Sequence, residues 1–133
     1  MTQRQLTPTT EFLNVDLDVR SRRSLSPLLK AWPDAQTPGR TGTGAPRRIH
    51  TSGVSYKKAA DRLARELIKS VDQLPADASQ CWKEASSRCF DIGVQAGLSP
   101  YNFEEVRLSD EVIRDMARLR ITLLVTIYAP NNA

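Results

Sequence analysis

The chain has 133 residues, of which 40% are hydrophobic and 26% are charged. That balance is typical of one soluble globular domain, and it excludes a disordered tail and a membrane protein. Lys and Arg exceed Asp and Glu by 19 to 15, and the resulting net charge of +4 is too small for a histone-like arm.

No segment approaches the roughly 18 apolar residues of a membrane span, and residues 1–12 lack the apolar core of a secretory signal. We therefore expect a cytoplasmic protein. In that compartment Cys81 and Cys89 are expected to be reduced thiols rather than a disulfide.

The first half of the chain predicts two strands around a short helix. Residues 13–20 alternate strictly, with apolar side chains at odd positions and polar side chains at even positions, which is the pattern of a half-buried strand. A helix follows, with Ser26 as its cap and Pro27 at its first position. Residues 33–46 are rich in Pro, Gly and Thr and predict a mobile loop before a second strand over 47–54.

The second half predicts three helices and two strands. Residues 56–74 have apolar side chains at three- and four-residue spacing and form the strongest helix signal. A shorter helix over 76–86 and a third strand over 89–96 follow. Ser109 caps a last helix that runs to Leu119. The final strand, 121–128, has its odd-numbered and even-numbered residues on opposite faces.

These elements predict an α+β domain built as a ferredoxin-like split β-α-β arrangement. Its sheet has four largely antiparallel strands, with helices on one face and the other face open. We expect this domain to cover 12–129, with the mobile loop at 33–46. A flexible N-terminus over 1–11 and a C-terminal tail over 130–133 flank it.

The last part of the chain carries packing motifs that are shared with a known family. The motifs are Leu108-Ser109-x-Glu111-Val112-Ile113, then Met116-Ala117-x-Leu119, then an alternating apolar strand that ends in Tyr128. This run, over 103–128, resembles the bacterial family known as domain of unknown function 4279, and the order of the earlier elements is compatible with it. The resemblance implies a small bacterial cytosolic domain with no assigned activity and no catalytic residues to transfer, and an immunity-protein-like binding role.

The sequence lacks the residue sets of common catalytic, metal and cofactor sites. His50 is the only histidine and there is no Cys-x-x-Cys, so the usual zinc sites are excluded. Residues 39–44 (GRTGTG) resemble a phosphate loop, but Ala45-Pro46 and a strand follow where a Walker loop needs Gly-Lys-Ser/Thr and a helix. We therefore predict no catalytic residue, no metal ligand and no cofactor.

The open face of the sheet is the candidate binding surface. Its predicted residues are Asn14, Asp16, Asp18, Asp91, Gln95 and Tyr128. Such a face is compatible with a solvated surface or with binding of a basic protein partner. Its acidic side chains, with His50, also allow a metal-dependent or hydrolytic enzyme as an alternative.

Five arginines are predicted near the ends of the first strands, and we call them the basic rim. They are Arg20, Arg22, Arg23, Arg47 and Arg48. Nucleic-acid binding through this rim is a third hypothesis, but acidic groups on the open face repel phosphate and Tyr128 is its only aromatic side chain for base stacking. The sequence thus favours a non-enzymatic protein-interaction module with an unknown protein partner.

Overall fold

A computed structural model describes residues 9–39, 44–53, 59–98 and 105–130. Its elements in chain order are β1 (Glu11–Arg20), α1 (Ser26–Ala31), β2 (Arg48–Gly53), α2 (Ala60–Asp72), α3 (Ala76–Glu84), β3 (Ser87–Gln95), α4 (Asp110–Arg118) and β4 (Thr122–Tyr128). All predicted helices and strands occur, in the predicted order, and several of their ends differ by a few residues. The α+β class is therefore confirmed.

Some predicted segments lie outside the described residues. These are residues 1–8 of the N-terminus, 40–43 of the loop, 54 at the end of the second strand, 56–58 at the start of the long helix, 103–104 at the start of the family-like run, and 131–133 of the tail. Within the described part of the loop, Gln36 forms an isolated antiparallel bridge with His50 of β2. Among the described residues, no helix combines the length and the apolar character needed to cross a bilayer.

The sheet has the strand order β2-β1-β3-β4. β1 is antiparallel to both of its neighbours, whereas β3 and β4 are parallel and α4 connects them. The prediction of four largely antiparallel strands is confirmed. The ferredoxin-like detail is not, because a split β-α-β unit has a strand between its parallel strands. Here β3 and β4 are direct neighbours, and β2 returns antiparallel beside β1.

One face of the sheet packs against the helices and forms the core. Leu17 of β1, Ile49 of β2 and Phe90 of β3 are fully buried on this face. The apolar stripe of α2 covers them, since its residues at three- and four-residue spacing are buried in the same cluster. Burial of such side chains is the main source of stability in a domain of this size.

Of the two predicted helix N-caps, the one for α4 is confirmed and the one for α1 is not. Ser109 caps α4 as predicted, because its Oγ accepts a hydrogen bond from the backbone N–H of Val112. The prediction that Ser26 caps α1 is wrong, since Ser26 is the first helical residue. Its backbone N–H donates to Ser24 Oγ, 3.1 Å away. The N-cap residue is Leu25, and α1 has no side-chain cap hydrogen bond.

The turn from α4 into β4 contains a residue in the left-handed conformation, Arg120, with φ of 58°. Its backbone N–H donates to Ala117 O, and the N–H of Ile121 donates to Met116 O. These two bonds are the pattern of a Schellman cap, in which this position is usually glycine. The chain therefore enters β4 through a strained residue.

Candidate functional site

The face of the sheet opposite the helices brings together the residues that were predicted to form the open face. In the strand register, Asp16 lies between Ser52 of β2 and Asp91 of β3, and Asp18 lies between His50 and Cys89. Asn14 is paired with Gly93, and Gln95 is paired with Tyr128. All six predicted residues therefore share one face.

Asp18 is held by two arginines at the β1–β2 end of this face. Arg48 Nε donates to Asp18 Oδ1 at 2.8 Å, and Arg20 Nε donates to Asp18 Oδ2 at 3.1 Å. Partial burial of the carboxylate raises its pKa, but the hydrogen bonds and positive charges of the two arginines outweigh this effect and lower the pKa below its ordinary value. Asp18 is therefore a charged structural anchor.

Asp16 is paired with side chains of β2. Ser52 Oγ donates to Asp16 Oδ1 at 2.6 Å, and His50 Nε2 lies 3.3 Å from Asp16 Oδ2. The other ring nitrogen of His50, Nδ1, lies 3.6 Å from Asp18 Oδ1. A serine hydrolase needs histidine to contact the serine, whereas here the aspartate contacts Ser52 and both nitrogens of His50 face carboxylates.

Among the described residues, no ion pair lies on the part of the face that β3 and β4 form. Thr126 Oγ1 donates to Asp91 Oδ1 at 2.7 Å, and Gln95 Nε2 donates to the carbonyl of Ala129 at 2.7 Å. A Cβ at Gly93 would lie 2.8 Å from Asn14 Oδ1, so a larger residue there would require the Asn14 side chain to move. This part of the face is uncharged apart from Asp91.

The arrangement of the acidic residues of the face bears on the metal-dependent alternative. Among the described residues, no three His, Cys, Asp or Glu side chains are arranged to hold a metal ion. Asp16 and Asp91 are register partners, but hydroxyl groups of different strands engage them. The residues of the alternative enzyme hypothesis are thus brought onto one face, and each is already hydrogen-bonded or paired.

The two cysteines do not form a disulfide. Cys89 lies on the open face beside Asp18. Burial and the negative charges of Asp91 and Asp18 raise the pKa of its thiol, and burial is also the main reason that the pKa of Cys81 is raised. Both thiols are therefore held in the protonated form, which is a poor nucleophile.

The basic rim is assembled at one end of the sheet, where Arg20 and Arg48 are register partners. Both of these arginines bind Asp18, and Arg23 Nη1 lies 3.7 Å from Glu84 Oε1. Arg47 Nη1 donates to the backbone carbonyl of Arg22. Within the described ranges, Arg22 and Arg47 have no carboxylate partner, so two of the five predicted rim cations remain for an anionic ligand.

Two cavities border the helices. One of about 520 Å³ lies between Trp82, Arg88 and Arg118, and an apolar one of about 280 Å³ is lined by Ile92, Ile113 and Val125. Small-molecule sites are usually concave. Neither of these two cavities is lined by a residue that was predicted for the open face.

Sequence reasoning did not pair the carboxylates of the open face with the side chains that hold them. Ser52, Thr126 and Arg48 hold the three carboxylates of the face. From the sequence alone, Ser52 and Thr126 were only predicted strand residues, and Arg48 was assigned to the basic rim. The signal that identifies them is the strand register, which a single sequence does not contain. Each of them lies on the same face as its carboxylate.

No protein-family model, curated protein or solved structure matches this chain. The resemblance to domain of unknown function 4279 is therefore neither supported nor refuted, and it stays a prediction.

Proposed function

We propose that this chain is a non-enzymatic protein-interaction module that binds a partner protein through the open face. The observation that carries this proposal is that the carboxylates of an uncovered sheet face are satisfied by side chains of neighbouring strands. General acid–base or metal catalysis needs groups that are available to a substrate or ion. A rigid, internally paired polar surface suits recognition by a complementary surface.

The chemistry of the face changes from one edge to the other, which supports binding to a protein. Ion pairs lie on β1 and β2, whereas Leu124 and Tyr128 of β4 are about half exposed on the same face. Protein interfaces combine apolar and aromatic anchors with a polar periphery. In this proposal, Tyr128 and Leu124 supply contact area, while Asp16, Asp18 and the arginines select the partner by charge.

We propose the bacterial cytoplasm as the compartment of this interaction. The unpaired thiols of Cys81 and Cys89 support it, because reducing compartments keep such thiols from pairing. The partner is a protein whose surface offers both charges to the β1–β2 part of the face.

The proposal is tested by affinity capture of the partner, with a variant in which two larger side chains block the open face. Ser52 is exposed, and Asn14 lies on the neighbouring strand of the same face. The double variant Ser52→Arg/Asn14→Arg therefore covers the polar part of the face without removing a core side chain. The matched control is Gln73→Arg/Gln80→Arg, which adds the same charge to two exposed positions on the helical side.

We expect a stoichiometric partner to be captured from the source cells by the wild type and by the control, and to be lost with the blocked face. The measurement is quantitative mass spectrometry after native capture. A partner that all three proteins retain would show that another surface binds it. Absence of any partner with the wild type would contradict the proposal.

A further inference from the structure

β4 forms an outer edge of the sheet, and the part of the chain that the structure describes gives this edge none of the usual protection. Among the described residues, no strand pairs with its outer side. Its sequence, TLLVTIY, contains no charge and no proline, and its register with β3 is continuous over all seven residues. Edge strands normally carry charges, prolines or bulges that prevent pairing with another chain.

The side chains of β4 are exposed on both faces. Leu123, Val125 and Ile127 lie on the helix side and are 45%, 49% and 67% exposed, and Leu124 and Tyr128 lie on the open face. Ile113 of α4 is 47% exposed beside them and lines the same apolar groove. Large aliphatic and aromatic side chains exposed to this degree present roughly 500 Å² of apolar surface. This area is near the upper end of the range for the largest apolar patch on a monomeric protein.

We propose that β4 pairs with β4 of a second copy of this chain, in antiparallel orientation about a two-fold axis through Val125. The product is one continuous eight-stranded sheet with both helix layers on the same side. Val125 is the central residue of the strand, so all seven residues take part in the pairing. The β4 edge is the row of residues Thr122–Tyr128 that forms this interface.

A second copy fits this edge because the strand carries no charge. In a two-fold interface each residue meets a residue of its own sequence, and a charged strand would therefore meet like charges. The axis through Val125 places Leu123 opposite Ile127 of the second copy, and Leu124 opposite Thr126. Both partners of each pair lie on the same side of the sheet, so the apolar groove continues across the interface.

The area is sufficient for a specific dimer. Two such patches, together with their backbone edges, bury roughly 1,000–1,500 Å² in total, which reaches the range of standard protein interfaces. The pairing also gives partners to the outward backbone N–H and C=O groups of β4. It leaves the β1–β2 part of the open face exposed, and it does not depend on the proposed function.

The experiment uses two single variants that are complementary in the proposed register. Leu123→Lys and Ile127→Glu each place a charge opposite an apolar side chain of an identical copy. In a dimer of one copy of each variant, the new ammonium at 123 faces the new carboxylate at 127. The other 123–127 pair of this dimer is the Leu–Ile contact of the wild type. Sedimentation equilibrium measures the molecular mass of each sample.

We expect a dimer for the wild type, a dissociation constant raised at least 100-fold for each variant alone, and a restored dimer for the mixture. Ser52→Lys is the control, since Ser52 is exposed on β2, at the opposite edge of the sheet from β4. It should remain dimeric. Circular dichroism and melting temperature check that each variant is folded.

Three outcomes would overturn the proposal. They are a monomeric wild type at about 100 μM, far above micromolar dissociation constants, a dimer that neither variant weakens, and folded variants whose mixture stays monomeric. If a charge variant does not fold, Val125→Cys replaces it in a chain whose native cysteines are changed to alanine. Paired strands bring the two copies of this residue within disulfide distance, so absence of an oxidised dimer would also reject the register.

Discussion

The two edges of the sheet differ in how they are closed to other chains. At the β2 edge, Arg48 and His50 carry polar side chains, and the backbone of His50 exchanges two hydrogen bonds with Gln36. At the β4 edge, every side chain is uncharged and no described segment pairs with the strand. One sheet thus combines a protected edge with an available one, and the sequence of each strand explains the difference.

The difference continues into the core. Leu17 of β1 and Leu123 of β4 both face the helices, and both are paired with Phe90 of β3. Leu17 is fully buried, whereas Leu123 is 45% exposed. The helix layer therefore covers the side of the sheet near β1 and leaves the apolar side chains near β4 in contact with solvent.

The largest expected effect tests this difference in packing directly. Leu17→Ala should lower the free energy of unfolding by about 3 kcal/mol, because it leaves a cavity in a fully buried site. Leu123→Ala should cost less than about 1 kcal/mol in the monomer, since the side chain is already half solvated. Urea unfolding, at concentrations too low for association, measures both. Equal losses would show that β4 is covered as well as β1.

A smaller effect concerns the ion pairs beside the β2 edge. Asp18→Asn should cost about 1 kcal/mol at neutral pH, because it weakens charge-assisted hydrogen bonds to two partly exposed arginines. The folded-state pKa of Asp18 lies below its ordinary value of 3.8. Its contribution is therefore fully present above about pH 4–5 and is lost as the pH falls through the folded-state pKa.

Thermal unfolding between pH 7 and pH 2 measures this contribution. The stability difference between wild type and Asp18→Asn should shrink as the solution becomes acidic. Asp34→Asn is the control, because Asp34 is exposed and has no ion pair among the described residues. Asp61 also has a lowered pKa, since hydrogen bonds from Ser109 and Arg65 outweigh its desolvation, so both proteins should still lose stability in acid. A constant difference at all pH values would contradict the role given to Asp18.

The smallest effect is a gain at the entrance to the β4 edge. Arg120→Gly should raise the free energy of unfolding by about 0.5–1 kcal/mol, because glycine adopts the left-handed conformation without a Cβ penalty. Arg120→Ala removes the same charge, which lies near Arg88, but keeps the Cβ. A larger shift of the denaturation midpoint for glycine than for alanine assigns the gain to the backbone. Equal shifts would assign it to charge.

The period-two pattern of the strands allowed their faces to be predicted from the sequence. It placed Asp16, Asp91 and Tyr128 on one surface, and the register confirms this. The order of the strands was not accessible in the same way, because pairing depends on contacts between distant segments. For the same reason, sequence reasoning did not find that Arg48 holds Asp18 or that Ser52 holds Asp16.

The exposure of β4 was also missed, for a related reason. Alternating apolar residues indicate a buried face only if a helix covers that face. Leu123, Val125 and Ile127 follow the pattern of a core strand, yet the position of α4 leaves them in solvent. The alternation thus indicated which side chains share a face, but it did not indicate how far helices cover that face.

The central position of β1 has a consequence for the rate of folding. Asp18 is paired with His50 and with Cys89. The pairing of β1 therefore requires segments that lie about 30 and about 70 residues further along the chain. Two-state domains whose contacts are mainly non-local fold in milliseconds to seconds, far more slowly than helical bundles of similar size. We therefore expect slow refolding in stopped-flow measurements, with the Asp18–Arg48 contact formed only after the loop between β1 and β2 has closed.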